Sequence, residues 1–168
     1  MSLEDTVDLN IKASVQKRVH EQFADLYGYA VNYGDAAFKV TPSMDTWVDV
    51  NWVSFGRGPY TTNTVMFRCF NRPVNDRMGQ RLEEMISRLR EALNIRNIPF
   101  LDFTVDPQVP TPITFEGEEL EMAIRFEERG PIQSATGMAR PDNEGAMDGV
   151  EFVPLTYYVY VPRPNVIL

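Results

Sequence analysis

Two stretches near the end of the chain alternate apolar and polar residues with a period of two. They cover residues 120–127 and 153–161, and such alternation is typical of a strand with one buried face. Between them, residues 129–149 have no apolar period and are rich in glycine, proline, asparagine and aspartate. A compact domain seldom carries so long a loop unless the loop is functional or disordered. We therefore predict two strands joined by a long β-hairpin loop, with residues 129–149 as an extended flexible loop within the domain.

Two other stretches carry a helical period. In residues 5–27 apolar side chains recur every three or four positions, and Gly28 is placed as a stop. Residues 75–94 repeat the pattern behind a cap at Asn75 or Asp76. The apolar stripe of this second stretch consists of Met78, Leu82, Met85, Ile86, Leu89 and Leu93. Each stretch is predicted to be an amphipathic helix with one buried side.

The segment between the two helices is predicted to be a β-hairpin. Its strands are expected near residues 46–55 and 62–70, with a turn supplied by glycines and a proline. A third strand is expected at residues 98–106, and a short extended piece at 113–115. One face of the hairpin carries Val48, Val50, Trp52, Val65, Phe67 and Cys69.

Helices and strands are segregated along the chain, which argues against a doubly wound parallel sheet. We predict a single α+β domain over residues 1–168. It should have a mostly antiparallel sheet with the two amphipathic helices packed on one face. Leu82, Ile86 and Leu89 should then be buried against the apolar face of the hairpin.

Charge and composition exclude several classes of protein. The chain has 168 residues and a formal net charge of −8. Sequence-independent binding to nucleic-acid phosphates needs a basic face, so that activity is not expected. No stretch approaches the roughly 20 apolar residues of a membrane span, and the polar start of the sequence predicts no signal peptide. The single cysteine, Cys69, can form no internal disulfide and fits a reducing compartment.

The sequence offers little catalytic chemistry. Phosphate-binding glycine loops, paired Cys-x-x-Cys motifs and His-Glu-x-x-His metal motifs are missing from it. His20 is the single histidine and lies on the polar side of the first predicted helix, as a solvated residue would. Cys69 lies at an apolar strand position, where a small buried hydrophobe is the usual meaning. We predict no enzymatic activity, no catalytic residues, no cofactor and no metal.

A cluster of carboxylates is the exception. Paired carboxylates can perform acid–base chemistry or bind a hard cation, so an alternative hypothesis is a metal-dependent hydrolase that uses the residues between Glu116 and Glu121. The carboxylates lie on the outward phase of one strand and at its ends, which favours a solvated acidic surface or a functional electrostatic surface. The cluster consists of Glu116, Glu118, Glu119, Glu121, Glu127 and Glu128.

Some predicted strands are apolar on both phases. Tyr158 and Tyr160 lie on the strand phase opposite to that of Tyr157, and Trp47 lies on the phase opposite to that of Val48. Two helices can cover only one face of the sheet, so the large side chains on the other face need another chain to cover them. This pattern predicts a homo-oligomer.

The element order, the size, the acidity and the helix entry "FNRPVNDRMGQRLEEMISRLREAL" resemble the tail-terminator (tail-completion) proteins of long-tailed phages. This resemblance covers residues 5–161. It implies a structural virion protein, a minor tail protein that forms a hexameric ring. Such a ring caps the tail-tube protein, stops its polymerisation and joins the tail to a head-completion protein.

The resemblance also implies a location and a set of contacts. The protein would lie in the virion tail, at the neck, after assembly in the host cytoplasm. DNA would pass through the ring without specific binding, and no membrane would be involved. Another phage neck, baseplate or adaptor protein is the alternative in the same class. The candidate interaction residues are Glu119, Glu121, Arg125, Glu127, Ile132, Met138, Tyr158 and Tyr160. Arg125 is expected to pair with Glu127 or with an acid of a neighbouring subunit.

Overall fold

The structure, a computed structural model, describes residues 3–54, 62–74, 76, 78–94, 98–114, 121–129 and 150–162. Helices pack on one face of a six-stranded, mostly antiparallel sheet, which confirms the predicted α+β fold class. The predicted loop at 129–149 lies outside the described residues, apart from Arg129. No helix among the described residues is long and apolar enough to cross a membrane.

The first predicted helix is confirmed and contains an irregular turn. It consists of α1 (Leu3–Val19), a π-helical turn (His20–Ala24) and α2 (Asp25–Tyr27), and it ends at Gly28 with a φ of +73°. Its buried apolar residues lie four apart, a spacing that drifts by about 40° per step around an α-helix. The wider π turn rotates the chain back and keeps Phe23 in the core. The buried apolar residues are Val7, Ile11, Val15, Val19 and Phe23.

The second helix begins later than predicted. Helix α3 spans Arg81–Leu93, because Gly79 adopts a left-handed φ of +65° that ends any helical run before it. Asp76 still acts near the helix start, since its carboxylate accepts a hydrogen bond from the Arg81 amide at 3.3 Å. The prediction that Met78 belongs to the buried stripe was wrong, because this side chain precedes the helix and is 75% exposed.

The strands follow the predicted order, except in the stretch 98–106. The hairpin strands and the final pair of strands are confirmed, whereas the stretch 98–106 forms only two short strands, of which the first pairs with the main sheet and the second belongs to a separate two-stranded sheet. Residues 29–45 contribute one short strand beside the hairpin. The strands are β1 (Ala30–Asn32), β2 (Thr46–Ser54), β3 (Asn63–Asn71), β4 (Ile98–Pro99), β5 (Leu101–Asp102), β6 (Thr111–Pro112), β7 (Ala123–Glu128) and β8 (Glu151–Tyr160).

The sheet order places the last strand at the centre. The six-stranded sheet runs β1-β2-β3-β8-β7-β4, and β5 pairs with β6 separately. The β1–β2 pair is parallel and the other described pairs are antiparallel. The bridge between Thr114 and Glu121 continues the extended piece that the sequence predicts at 113–115.

The core lies between the helices and one face of the sheet, here called the inner face. Ile86 and Leu89 of α3 and Phe67 of β3 belong to one buried cluster, with Leu82 half-buried against it. Cys69 is fully buried in the same cluster, as expected for a small hydrophobe. The predicted packing of the second helix on the hairpin is therefore confirmed.

Helix α1 also carries a buried polar stripe. Asn10 Oδ1 accepts a hydrogen bond from the Phe103 amide at 3.0 Å, and Ser14 Oγ accepts one from the Leu101 amide at 3.0 Å. One turn further, Arg18 Nε donates to the Ala92 carbonyl at the end of α3, at 2.9 Å. These side chains satisfy backbone groups that would otherwise be buried without partners.

Candidate interaction surface

The sheet face opposite the helices, here called the outer face, holds the side chains on the other phase of the strands. Cross-strand pairing sorts them into rows, because directly paired residues project on the same side. From one end to the other, the rows are Trp47–Phe70–Phe152, Asp49–Arg68–Pro154, Asn51–Met66–Thr156, Thr64–Tyr158–Glu127 and Tyr160–Arg125.

Four of the predicted interaction residues meet on this face. Arg125 lies opposite Tyr160, and Glu127 lies opposite Tyr158. The tyrosines are half-buried, while Arg125 and Glu127 are exposed. Within the described part of the chain no ion pair joins Arg125 to Glu127, so the pairing expected between them inside one subunit is not seen there.

The acidic cluster is divided by the structure. Glu121 is exposed and lies at the bridge to Thr114, away from the tyrosines. Glu128 has the opposite phase, and its carboxylate accepts two hydrogen bonds from Arg90 of α3, at 2.8 and 3.2 Å. Glu119, Ile132 and Met138 lie outside the described residues, as do Glu116 and Glu118.

Arg129 is an outer-face residue that the sequence analysis did not select. Its guanidinium lies 3.7 Å from the ring centroid of Tyr158, within the range of a cation–π contact. The arginine shares the strand phase of Arg125 and Glu127, which gives the order positive, negative, positive along one line. That phase was visible in the sequence, but residue 129 was assigned to the loop.

Pro154 lies in the central strand beyond its described pairing with β7. The Arg129 amide donates to the Thr156 carbonyl at 2.8 Å, so the backbone groups of Thr156 face β7. Residue 154 has the same backbone orientation, beyond the last residue of β7. Proline has no amide hydrogen to donate, so at this position, beyond the described end of β7, it removes no hydrogen bond from the described pairing of β7 with β8.

One end of the outer face is covered by the chain itself. Residues 34–45, here called the strap, cross the row that contains Trp47, which is fully buried. The prediction that another chain is needed to cover Trp47 was therefore wrong, because a segment without regular structure covers it. The contacting side chains of the strap are Phe38, Val40 and Met44.

The remaining described side chains of chemical interest lie apart from one another. His20 is exposed and lines an open cleft of about 400 Å³ between α1 and residues 103–110, in which neighbouring Lys17 is ion-paired with Glu21. Among the described residues, no group of three or more histidine, cysteine, aspartate or glutamate side chains could hold a metal ion.

Burial also suppresses the reactivity of the Cys69 thiol. Loss of hydration raises the pKa of Cys69 to about 12, with a small opposing effect of Arg90. The thiolate is the nucleophilic form of cysteine, so the folded protein holds this side chain in its unreactive form.

We therefore expect Cys69 to resist alkylation in the native protein. At pH 8, labelling by iodoacetamide should be slower by more than about 100-fold than in denatured protein, where the pKa returns to about 8.5. The test is mass spectrometry of timed samples with and without denaturant. Equal rates would show that the inner face opens freely to solvent.

Comparison of the sequence with models of known protein families gives no match, and comparison with curated protein sequences gives none either.

Proposed function

We propose that this protein is a structural subunit that forms a homo-oligomeric ring through its outer face. More specifically, we propose that the ring is a phage tail terminator, which caps the tail tube and joins tail to head. The observation that carries the first step is the composition of the outer face beyond the strap. Tyrosine, methionine and arginine are enriched in the cores of protein interfaces, and this face holds Met66, Tyr158, Tyr160, Arg68, Arg125 and Arg129.

The burial of these side chains supports the same step. Tyr158, Tyr160 and Met66 are only half-buried in the isolated chain, and they lie in adjoining rows of one rigid sheet. A rigid sheet presents its side chains with little loss of conformational freedom when a partner binds. The outer face therefore fits an ordered protein partner better than a mobile small molecule.

The net charge supports the second step. A ring through which DNA passes must not trap phosphate groups, and a chain of net charge −8 lacks the basic excess that holds DNA. Glu121 is exposed and is available to line such a passage. Like charges on neighbouring subunits are tolerated because salt screens them over about 8–10 Å.

The test of this proposal is native mass spectrometry of the purified chain, followed by addition of tail-tube protein from the same genome. We expect a ring of about six subunits that halts tube growth when present during polymerisation. A protein that stays monomeric at all concentrations and does not alter tube length would contradict the proposal. A ring that joins heads but leaves tube growth unchanged would identify a different neck protein.

The hydrolase alternative is distinguished in the same preparation. Of the residues from Glu116 to Glu121, only the last is described, and no specific contact favours a metal at Glu121. Isothermal titration with Mg²⁺ or Mn²⁺ should give no saturable binding. Saturable binding that Glu121→Gln removes would favour the enzyme instead.

A further inference from the structure

The strap has almost no backbone pairing with the sheet that it covers. Its hydrogen bonds are mainly local: the Asn32 side chain accepts from the Gly34 and Asp35 amides, and the Phe38 amide donates to the Asp35 carbonyl at 3.1 Å. The strap begins at Gly34, where a φ of +94° permits a sharp change of direction. Segments with few bonds to their surroundings open at lower free energy than paired strands.

Arg72 makes most of the described bonds that fasten the strap to the sheet. Arg72, directly after β3, is only 7% exposed. Its Nη1 donates to the Thr41 carbonyl at 3.0 Å and to the Pro42 carbonyl, and its backbone amide donates to the Asp45 carbonyl at 2.7 Å. The guanidinium also lies 5.7 Å from the ring centroid of Trp47. One side chain thus holds both the strap and the tryptophan beneath it.

A second arginine supports this arrangement from α3. Arg81 donates to the Arg72 carbonyl at 3.2 Å and lies 3.8 Å from the Asp45 carboxylate. The ion pair between Arg81 and Asp45 is partly exposed and therefore adds little stabilising free energy by itself. The main fastening is therefore Arg72, whose bonds are charge-assisted and mostly shielded from water.

Beneath the strap lies an aromatic surface continuous with the outer face. The rings of Trp47 and Phe70 are stacked with centroids 5.0 Å apart, and Phe152 follows at 5.6 Å. The next row contains Arg68 and Pro154, which already belong to the uncovered part. Opening the strap would extend the uncovered face by three aromatic side chains.

We propose that the strap is a removable cover with Arg72 as its latch. Closed, it shields Trp47, Phe70 and Phe152 in the free subunit. Open, it lets a second copy of the chain occupy the extended outer face. The part of this inference that concerns self-association rests on the proposed function, whereas the opening of the strap does not. The fold thereby contains a device that keeps free subunits from associating along their most apolar surface.

The experiment compares Arg72→Met with Arg68→Met. Both changes remove a guanidinium near the outer face, but Arg68 pairs with Asp49 and, among the described residues, makes no hydrogen bond to the strap. In a Trp52→Phe background, acrylamide quenching of fluorescence reports Trp47 alone. Loss of the charge-assisted bonds should raise the open fraction about 10- to 100-fold for Arg72→Met, and Arg68→Met should leave quenching unchanged.

Two further readouts separate the outcomes. Cys69 must stay protected from alkylation in Arg72→Met, because it lies on the inner face; exposure of Trp47 together with Cys69 would mean general unfolding and would overturn the proposal. Unchanged quenching with Cys69 protected would show that Arg72 is not the latch.

Sedimentation velocity should show association at about tenfold lower concentration in Arg72→Met. An opened strap with unchanged association would refute the cover role, and wild-type ring formation would still stand on its own.

Discussion

Replacing Phe67 with alanine is expected to lower the free energy of unfolding by about 3–5 kcal/mol. Phe67 is fully buried at the centre of β3, between Val50 on β2 and Leu155 on β8. Its ring also meets Tyr157 edge-on, with centroids 5.9 Å apart. The substitution removes these contacts and leaves a cavity in a core that can relax only partly.

Met66→Ala is the matched control, because Met66 is the adjacent residue on the same strand but points to the outer face. It is half-buried, so we expect a loss of no more than about 1 kcal/mol. Chemical denaturation with a constant slope measures both values. Equal losses would mean that the two faces of the sheet are equally packed within the subunit, which contradicts an uncovered outer face.

The strand phases on which this pair of variants depends were predictable. Alternation placed Val48, Val50, Val65, Phe67 and Cys69 on one face, and all of them join the core. Periodicity predicts these strand faces because a residue on the wrong face would expose a large apolar side chain. A shift of the strand register by one residue would move every side chain of the strand to the opposite face of the sheet. The same reasoning located the buried sides of both helices.

Local backbone geometry was harder to predict. The start of α3 depends on the left-handed conformation of Gly79, which a helical pattern does not reveal. The π turn depends on where α1 meets the core. The early end of the stretch 98–106 depends on bonds from Asn10 and Ser14 of a helix distant in sequence. The last of these involves tertiary contacts, which can override local propensity.

The strap shows why the need for another chain over Trp47 was wrongly predicted. A large apolar residue on the second phase of a strand signals that something covers it, but not which segment does. For Trp47 the cover is Phe38, Val40 and Met44 of the same chain, in a stretch without an apolar period. For Tyr158 and Tyr160 the described residues provide only partial cover, and those positions therefore carry the remaining argument for a partner.

The double variant Tyr158→Ala/Tyr160→Ala is expected to abolish ring formation. Aromatic residues at the centre of an interface commonly contribute at least about 2 kcal/mol each, so losing two should weaken association by on the order of 1,000-fold. Removing Tyr158 also removes the ring on which Arg129 rests, which adds to the loss. Both side chains project away from the inner face, so the subunit should remain folded, with Cys69 still protected from alkylation.

A matched apolar control lies elsewhere on the surface. Val105 and Val109 are 85% and 67% exposed and belong to the loop beside the His20 cleft, away from the sheet. Val105→Ser/Val109→Ser should leave ring formation unchanged, because these residues are not on the outer face. Native mass spectrometry and sedimentation velocity over a dilution series measure both variants. If the valine variant loses the ring and the tyrosine variant keeps it, the subunits meet at the loop, because a surface that tolerates the loss of its two central aromatic side chains cannot supply the association energy.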